Sequence, residues 1–399
     1  MIHFSTKLSQ TVNDYIYRLG LQRNENNLSW NDITYIINKE LGTDLTKDAV
    51  RSRYKRLIKN PEYNEIINTP QKIEDRTQLE KIKAERVELN SYYRCISRES
   101  TLKDIGLEAA QIIAKSNPFK RTTKLYPSFK SEYTGILLLS DWHYGININT
   151  SYNVYNTDIC KERVLTNLLY DVQYYIKLFD LTHLYVINLG DMIAGNIHLP
   201  LRLNSQIDVI TQIMEVSELL ANFLQELSTM VEIDYYSTLD NHSRIDPNKK
   251  ESIQLETLAR ITDWFLKERL SLNDNVTLHI NNTYSPDIVS FKVDYNDYNY
   301  NVVGVHGDKD SPKEVIDRLT TFLGKHQDLV CTAHYHHFSC NEQNRTMLVS
   351  NGALMGTDEY AIDLRLDSKP SQTLIISDQY DVCKHICKLN LDEDVYKAY

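Results

Sequence analysis

Short apolar runs alternate with longer stretches of helical spacing over the last two-thirds of the chain. The runs at 135–140, 184–189, 232–238, 299–306, 328–332, 346–351 and 372–377 have the length and composition of buried strands. Between them, 158–179, 204–229, 249–270 and 312–323 read as helices. In the second of these, Ile207, Ile210, Met214, Leu220, Phe223 and Leu227 form the apolar stripe. Strand–helix alternation predicts an α/β domain. Upstream the pattern is helical only, with amphipathic stretches at 7–19 and 29–41. Gly42 stands where a helix C-terminus needs left-handed backbone, and Thr46 is an N-cap candidate opening a third helix over 47–59. Residues 71–94 are charged with sparse apolar punctuation, as in an exposed helix or spacer, and 101–116 is again helical. Phe119 to Lys130 is basic and irregular, which suggests a linker. The division expected is a small all-α domain at 1–60, a helical spacer and linker at 61–130, and the α/β domain at 131–399.

Charge changes this picture. The net charge is −10, which argues against a general nucleic-acid binder. Yet residues 1–60 hold ten Lys or Arg against six Asp or Glu, a balance of +4, so the rest carries −14. The third helix concentrates the basic residues. Ala49, Val50, Tyr54 and Leu57 can face a core while Lys47, Arg51, Arg53, Lys55 and Arg56 stay outside. Two helices, a glycine turn and a basic final helix resemble helix-turn-helix DNA-binding modules, in which such cations meet phosphates first. The competing reading is a helical bundle with a solvated basic face. The six scattered cysteines, an N-terminus without an apolar signal core and the lack of any membrane-length apolar run predict a cytoplasmic protein with no membrane partner.

The candidate chemistry lies just past the ends of the apolar runs. Ser140 is followed by Asp141-Trp-His143; Leu189 by Gly190-Asp191; Leu239 by Asp240-Asn241-His242; Val305 by His306; and Ala333 by His334-Tyr-His336. Any one of these could be an ordinary polar strand tip. Five in succession, all of metal-ligand type, point to one site at the carboxyl ends of a sheet, where open α/β sheets bind ligands. Seven ligands suffice for two metals only if one bridges; a carboxylate can, and Asp191 is the natural candidate. Asn241 would supply a neutral oxygen. Two metals about 3.5–4 Å apart can activate a shared hydroxide and clamp a phosphate. His242, next to a ligand, could protonate a leaving oxygen. His198 and Arg244 are candidates for a substrate phosphate.

The order Asp-x-His, Gly-Asp, Asn-His, His, His-x-His resembles the calcineurin-like metallophosphoesterase superfamily over roughly 135–355. The resemblance implies a two-sheet sandwich flanked by helices and a dinuclear centre of manganese, with iron or zinc as alternatives. It implies that Asp141, His143, Asp191 and His336 hold one metal, that Asp191, Asn241, His306 and His334 hold the other, and that His242 is the catalytic histidine. Three positions depart from the family pattern: Asp240 and Ala333 replace glycines, and Ser243 replaces the acid that often follows Asn-His. Segments 351–360 and 368–372, and the pairing with a helix-turn-helix-like module, look similar to phage and prophage members. A bacterial or phage-infected host cytoplasm is the compartment this implies.

The function expected is a metal-dependent phosphoric ester hydrolase, first a DNA-directed phosphodiesterase. The ligand order shared with the nuclease subunit of double-strand-break repair complexes supports that reading. The alternative is a phosphomonoesterase or small-nucleotide phosphodiesterase whose N-terminal module binds a partner. A non-enzymatic DNA-binding protein would not need a full ligand set. DNA is the partner expected, and residues 71–116 could support homo-oligomerisation.

Overall fold

The computed structural model describes residues 2–24, 26–60, 80–90, 119, 121–125, 131–197, 199–295 and 298–392, with isolated residues between 92 and 111. The chain divides into two compact units, Met1–Ser97 and Arg98–Tyr399.

The first unit contains α1 (Ile2–Leu21), α2 (Trp30–Leu41) and α3 (Lys47–Leu57). Ser29 caps α2 through a reciprocal pair of hydrogen bonds with Asp32, and Gly42 ends it in the left-handed region. Thr46 caps α3 by accepting from the Ala49 amide. Val12, Ile16, Tyr17, Ile33, Ile37, Val50 and Leu57 close a small core. The opposite face of α3 leaves Lys47, Arg51, Lys55 and Arg56 exposed, with Arg53 half-buried. Residues 80–90 are helical and exposed, as the charged pattern implied; most of 61–118 lies outside the described residues.

The second unit is a two-sheet sandwich. One sheet runs β13-β12-β1-β4-β5-β6, with β1 (Thr134–Leu139), β4 (His183–Asn188), β5 (Glu232–Ser237) and β6 (Val276–His279) parallel. β12 (Ser371–Ser377) and β13 (His385–Asn390) complete it antiparallel. The other runs β10-β11-β9-β8-β7, with a parallel centre of β8 (Asn299–Gly304), β9 (Leu329–Thr332) and β11 (Thr346–Ser350). β7 (Val289–Asp294) and β10 (Ser339–Gln343) are its antiparallel edges, and a separate short hairpin pairs β2 (Ile148–Asn149) with β3 (Val154–Tyr155).

Alternation along β1 shows how the layers form. Ile136 and Leu138 enter the core between the sheets, while Leu137 and Leu139 point to the helices on the outer face. Burial on both faces is why this strand reads as a continuous apolar run. Those helices include α4 (Thr157–Glu162), a π-helical turn (Arg163–Leu168), α5 (Leu169–Leu178), α7 (Val209–Leu227) and α8 (Ala259–Arg269). α9 (Val315–Leu323) covers the second sheet through Val315, Ile316, Leu319 and Leu323. The α/β sandwich flanked by helices is therefore the architecture expected. No described helix is long and apolar enough to cross a membrane.

The elements differ from expectation in places. The helix expected over 204–229 starts later, as α7 at Val209, because Asp208 caps it with bonds to Ile210 and Thr211; a separate short helix, α6 (Leu199–Asn204), precedes it. Only Ala259–Arg269 of 249–270 is helical. Phe119 and residues 121–125 of the expected linker dock on the body: Phe119 packs on the large core, Thr122 bridges Asn273, and the Leu125 amide donates to Asn275; residues 126–130 lie outside the described residues.

Candidate metal centre

The carboxyl ends of β1, β4 and β5 in one sheet and of β8 and β9 in the other deliver all seven expected ligand residues to one place. Asp141, His143, Asp191 and His336 present ligand atoms within 4.8 Å of one another, and Asp191, His306 and His334 do the same. Asp191 belongs to both groups. Its Oδ2 lies 3.7 Å from His143 Nε2, 3.3 Å from His306 Nε2 and 3.8 Å from His242 Nε2. Asn241 joins the second group with its Oδ1 2.9 Å from His306 Nε2. In the first, His336 Nε2 lies 3.4 Å from Asp141 Oδ1 and 3.2 Å from His143 Nε2.

Each side chain is aimed by a partner behind it. Asp141 Oδ2 accepts from Ser140 Oγ at 2.7 Å, which leaves Oδ1 facing inward. The Leu189 carbonyl, 2.8 Å from His306 Nδ1, selects the tautomer whose Nε2 lone pair faces Asp191. The Ala194 carbonyl does the same for His242 Nδ1 at 2.8 Å. It thus takes over from the acid that Ser243 replaces. Ser243 instead donates from its amide (2.6 Å) and hydroxyl (3.0 Å) to Asp240, so two departures from the family pattern are partners of each other. Gly190 provides the room, since a Cβ there would meet Asp240 Cβ at 2.5 Å.

Two buried carboxylates dominate the electrostatics of the cluster. Asp141 and Asp191 are fully buried, yet Asp141 Oδ1 and Asp191 Oδ2 have no hydrogen-bond donor. Burial alone would raise the Asp191 pKa; the His242 and His306 imidazoles outweigh it and hold the carboxyl well below its usual range. Burial likewise opposes a charge on His306, but the Asp191, Asp141 and Asp240 carboxylates push it up to about 10. Burial, then the charge on Asp191, raises Asp240 to about 6. Orphaned carboxylate oxygens facing imidazole nitrogens, backed by carbonyls that set the tautomers, fit two divalent ions.

The backbone carries strain at the same place. Asp141, His143, Asp191, His334 and His336 have φ of 52°, 43°, 53°, 71° and 60°. Non-glycine residues held there cost on the order of 1–3 kcal/mol each and concentrate at functional sites. The strain turns each side chain back over its strand end.

Residues that sequence reading passed over hold the loops. Gln372 is fully buried; its Oε1 accepts from the Ser140 amide and Trp142 Nε1, and its Nε2 donates to the Ser140 and Gly352 carbonyls. Asn351 Nδ2 donates to Ser140 Oγ, and the Leu354 amide donates to the Asp141 carbonyl. A glutamine opening the otherwise apolar run 372–377 was the available signal. Gln212 receives the Gly195 amide at 2.9 Å. Gly195 has φ +69°, and a Cβ would lie 2.2 Å from the His242 carbonyl oxygen. Gly195→Ala should therefore displace His242 and lower kcat about a hundredfold with little change in metal content; an unaltered kcat would show that the loop tolerates the shift.

Of the other expected residues, Arg244 lies beside the centre with Nε donating to the Asn241 carbonyl at 3.1 Å, and His198 lies outside the described residues.

The sequence comparisons find similarity to a prophage-derived protein. A family model described as the YonJ N-terminal domain matches residues 1–69. The SPbeta prophage-derived uncharacterized protein YonJ of Bacillus subtilis (strain 168) is 24% identical over 392 residues, covering 92% of this chain and 93% of that protein. Among solved structures, similarity extends to a novel archaeal phosphodiesterase (13% identity, 64% of this chain and 99% of that one, TM-score 0.30). A hypothetical protein from Pyrococcus horikoshii OT3 (14%, 66% and 91%, 0.34) and zinc-complexed Vps29 from Entamoeba histolytica (10%, 65% and 99%, 0.28) are also similar.

Proposed function

We propose that this chain is a metal-dependent phosphoric ester hydrolase with two divalent ions, manganese first, that cleaves phosphodiesters of DNA. One observation carries the reading: Asp191 belongs to both ligand clusters, and its buried Oδ2 lies 3.7 Å from His143 Nε2 of one and 3.3 Å from His306 Nε2 of the other. Asp141, His143, Asp191 and His336 would hold one ion, and Asp191, Asn241, His306 and His334 the other. When bound, the pair supplies a water-derived nucleophile and neutralises charge on the phosphoryl oxygens. His242 would be the proton donor in its imidazolium form: the Ala194 carbonyl holds one proton on Nδ1, and the second, on Nε2 at the Asp191 side, passes to the departing alkoxide and leaves the neutral Nδ1–H imidazole. Water adds to phosphorus, one P–O bond breaks, and the leaving oxygen departs as an alcohol. Arg244, steadied by the Asn241 carbonyl, would meet a non-bridging phosphate oxygen.

The DNA assignment rests on the cations of α3, with the exposed Lys47, Arg51, Lys55 and Arg56 and the half-buried Arg53 as phosphate contacts. A second reading, a small-nucleotide phosphodiesterase, is favoured by the carboxylates that line the cavity beside His306. A manganese-dependent assay on single- and double-stranded DNA beside bis(p-nitrophenyl) phosphate separates the two. With DNA as substrate, Arg51→Glu with Arg56→Glu should raise the DNA KM about tenfold at low salt and leave ester hydrolysis intact. An unaltered DNA KM would move the assignment to small nucleotides.

A further inference from the structure

The turn Arg163–Leu168 is wound as a π-helix between two α-helical segments. Such turns are rare and gather at functional sites. This one buries Arg163, Val164, Asn167 and Leu168, so a guanidinium goes inward among apolar groups. Arg163 is only 3% exposed, and a charge that deep persists only where polar partners meet it. Its Nη1 donates to the Leu354 carbonyl at 2.9 Å and to the Met355 carbonyl at 3.1 Å. Its Cζ lies 5.2 Å from the centre of the Tyr155 ring, within cation–π range.

Both contacts lead to the same ligand loop. The Leu354 and Met355 amides donate to the Asp141 carbonyl at 3.1 and 3.4 Å, and the Ala353 amide donates to the His336 carbonyl at 3.4 Å. The Leu354–Met355 peptide is therefore gripped on both sides, its oxygen by the guanidinium and its N–H by Asp141. A cation on the oxygen polarises the peptide and strengthens the bond its N–H makes. Along the other route the Tyr155 hydroxyl donates to the Trp142 carbonyl, between Asp141 and His143. Asp141, His143 and His336 need such a hold, because their φ angles are 52°, 43° and 60°. The other ligand group is braced from elsewhere: His306 by the Leu189 carbonyl, and Asn241 by Arg244.

Resting on the two-ion reading above, we infer that Arg163 is a positioning residue for one ion only, the ion assigned to Asp141, His143, Asp191 and His336. It acts through the Leu354–Met355 peptide and through Tyr155, and it does not touch ion or substrate itself.

The test titrates manganese into the full-length chain and resolves the two binding classes. Arg163→Met keeps the length and apolar contact of the side chain and removes its donors and charge. It should weaken one class at least about tenfold and leave the other within about twofold of the parent. Combined with His334→Ala, which removes a ligand of the other ion, it should weaken both. Tyr155→Phe keeps the ring, removes the hydroxyl and should weaken the same class as Arg163→Met. Arg163→Lys keeps the charge and should recover part of the loss. A role confined to folding would instead lower Tm and weaken both classes alike in Arg163→Met. That result, or parental affinity in both classes, would overturn the assignment; if Arg163→Met does not fold, Tyr155→Phe decides on the same terms. A parent chain that binds no manganese would overturn the two-ion reading itself, and this inference with it.

Discussion

Asp191→Asn is expected to lower phosphodiester hydrolysis at least about a thousandfold. The substitution preserves shape and removes one charge, and that charge lies within reach of both ligand groups. Loss of a ligand to one ion alone would be a local injury, whereas loss of the shared carboxylate would weaken the hold on both. His242→Ala should behave differently. His242 is 12% exposed and backed by a carbonyl, and its proposed work is proton transfer, so kcat should fall about 10²–10⁴-fold while metal content stays at the parental level. Measured side by side, the two variants separate metal binding from proton donation. If both kept parental activity, the site would lie elsewhere.

Metal should also govern the stability of the second unit by about 10 °C. Five ligand residues in left-handed backbone and two buried carboxylate oxygens without donors are costs that the fold carries until cations arrive. Binding to the folded state alone contributes about 4 kcal/mol at a thousandfold excess over Kd, and in a unit of this size each kcal/mol moves Tm by roughly 2–4 °C. Calorimetry of the full chain with manganese, and then with excess chelator, should show the transition of the Arg98–Tyr399 unit rise and return. In Asp191→Asn most of the shift should vanish. A transition indifferent to manganese at millimolar concentration would mean that no such linkage exists.

How much of this was legible in the sequence depends on burial. Strands β1, β4, β8, β9, β11 and β12 are buried over most of their length, β5 alternates between buried and half-buried positions, and all seven lie where the runs predicted. β10, Ser339–Gln343, is a polar, mostly exposed edge with no run to see. β6 has only four residues, Val276–His279, too short for its alternation to stand out. β7, Val289–Asp294, does alternate, but its polar half hides it from a search for apolar runs. The seven ligand-type residues were legible because strand ends are marked by adjacent apolar runs, and the fold gathers them as the motif order implied. What no motif could reveal was the support behind them. Gln372 acts on Ser140 from 232 positions away, and the Ala194 and Leu189 carbonyls act as backbone, without any side-chain signature. The pairing of Asp240 with Ser243 was similarly hidden, because no sequence signal shows that the Ser243 amide and hydroxyl donate to that carboxylate.

Metal stoichiometry tests the central claim most directly. After incubation with manganese and removal of free ion, elemental analysis of the full-length protein should find two manganese ions per chain. Asp191→Asn should retain fewer than one. A wild-type chain that retains none, or an Asp191→Asn chain that keeps both, would contradict a centre built on a shared Asp191.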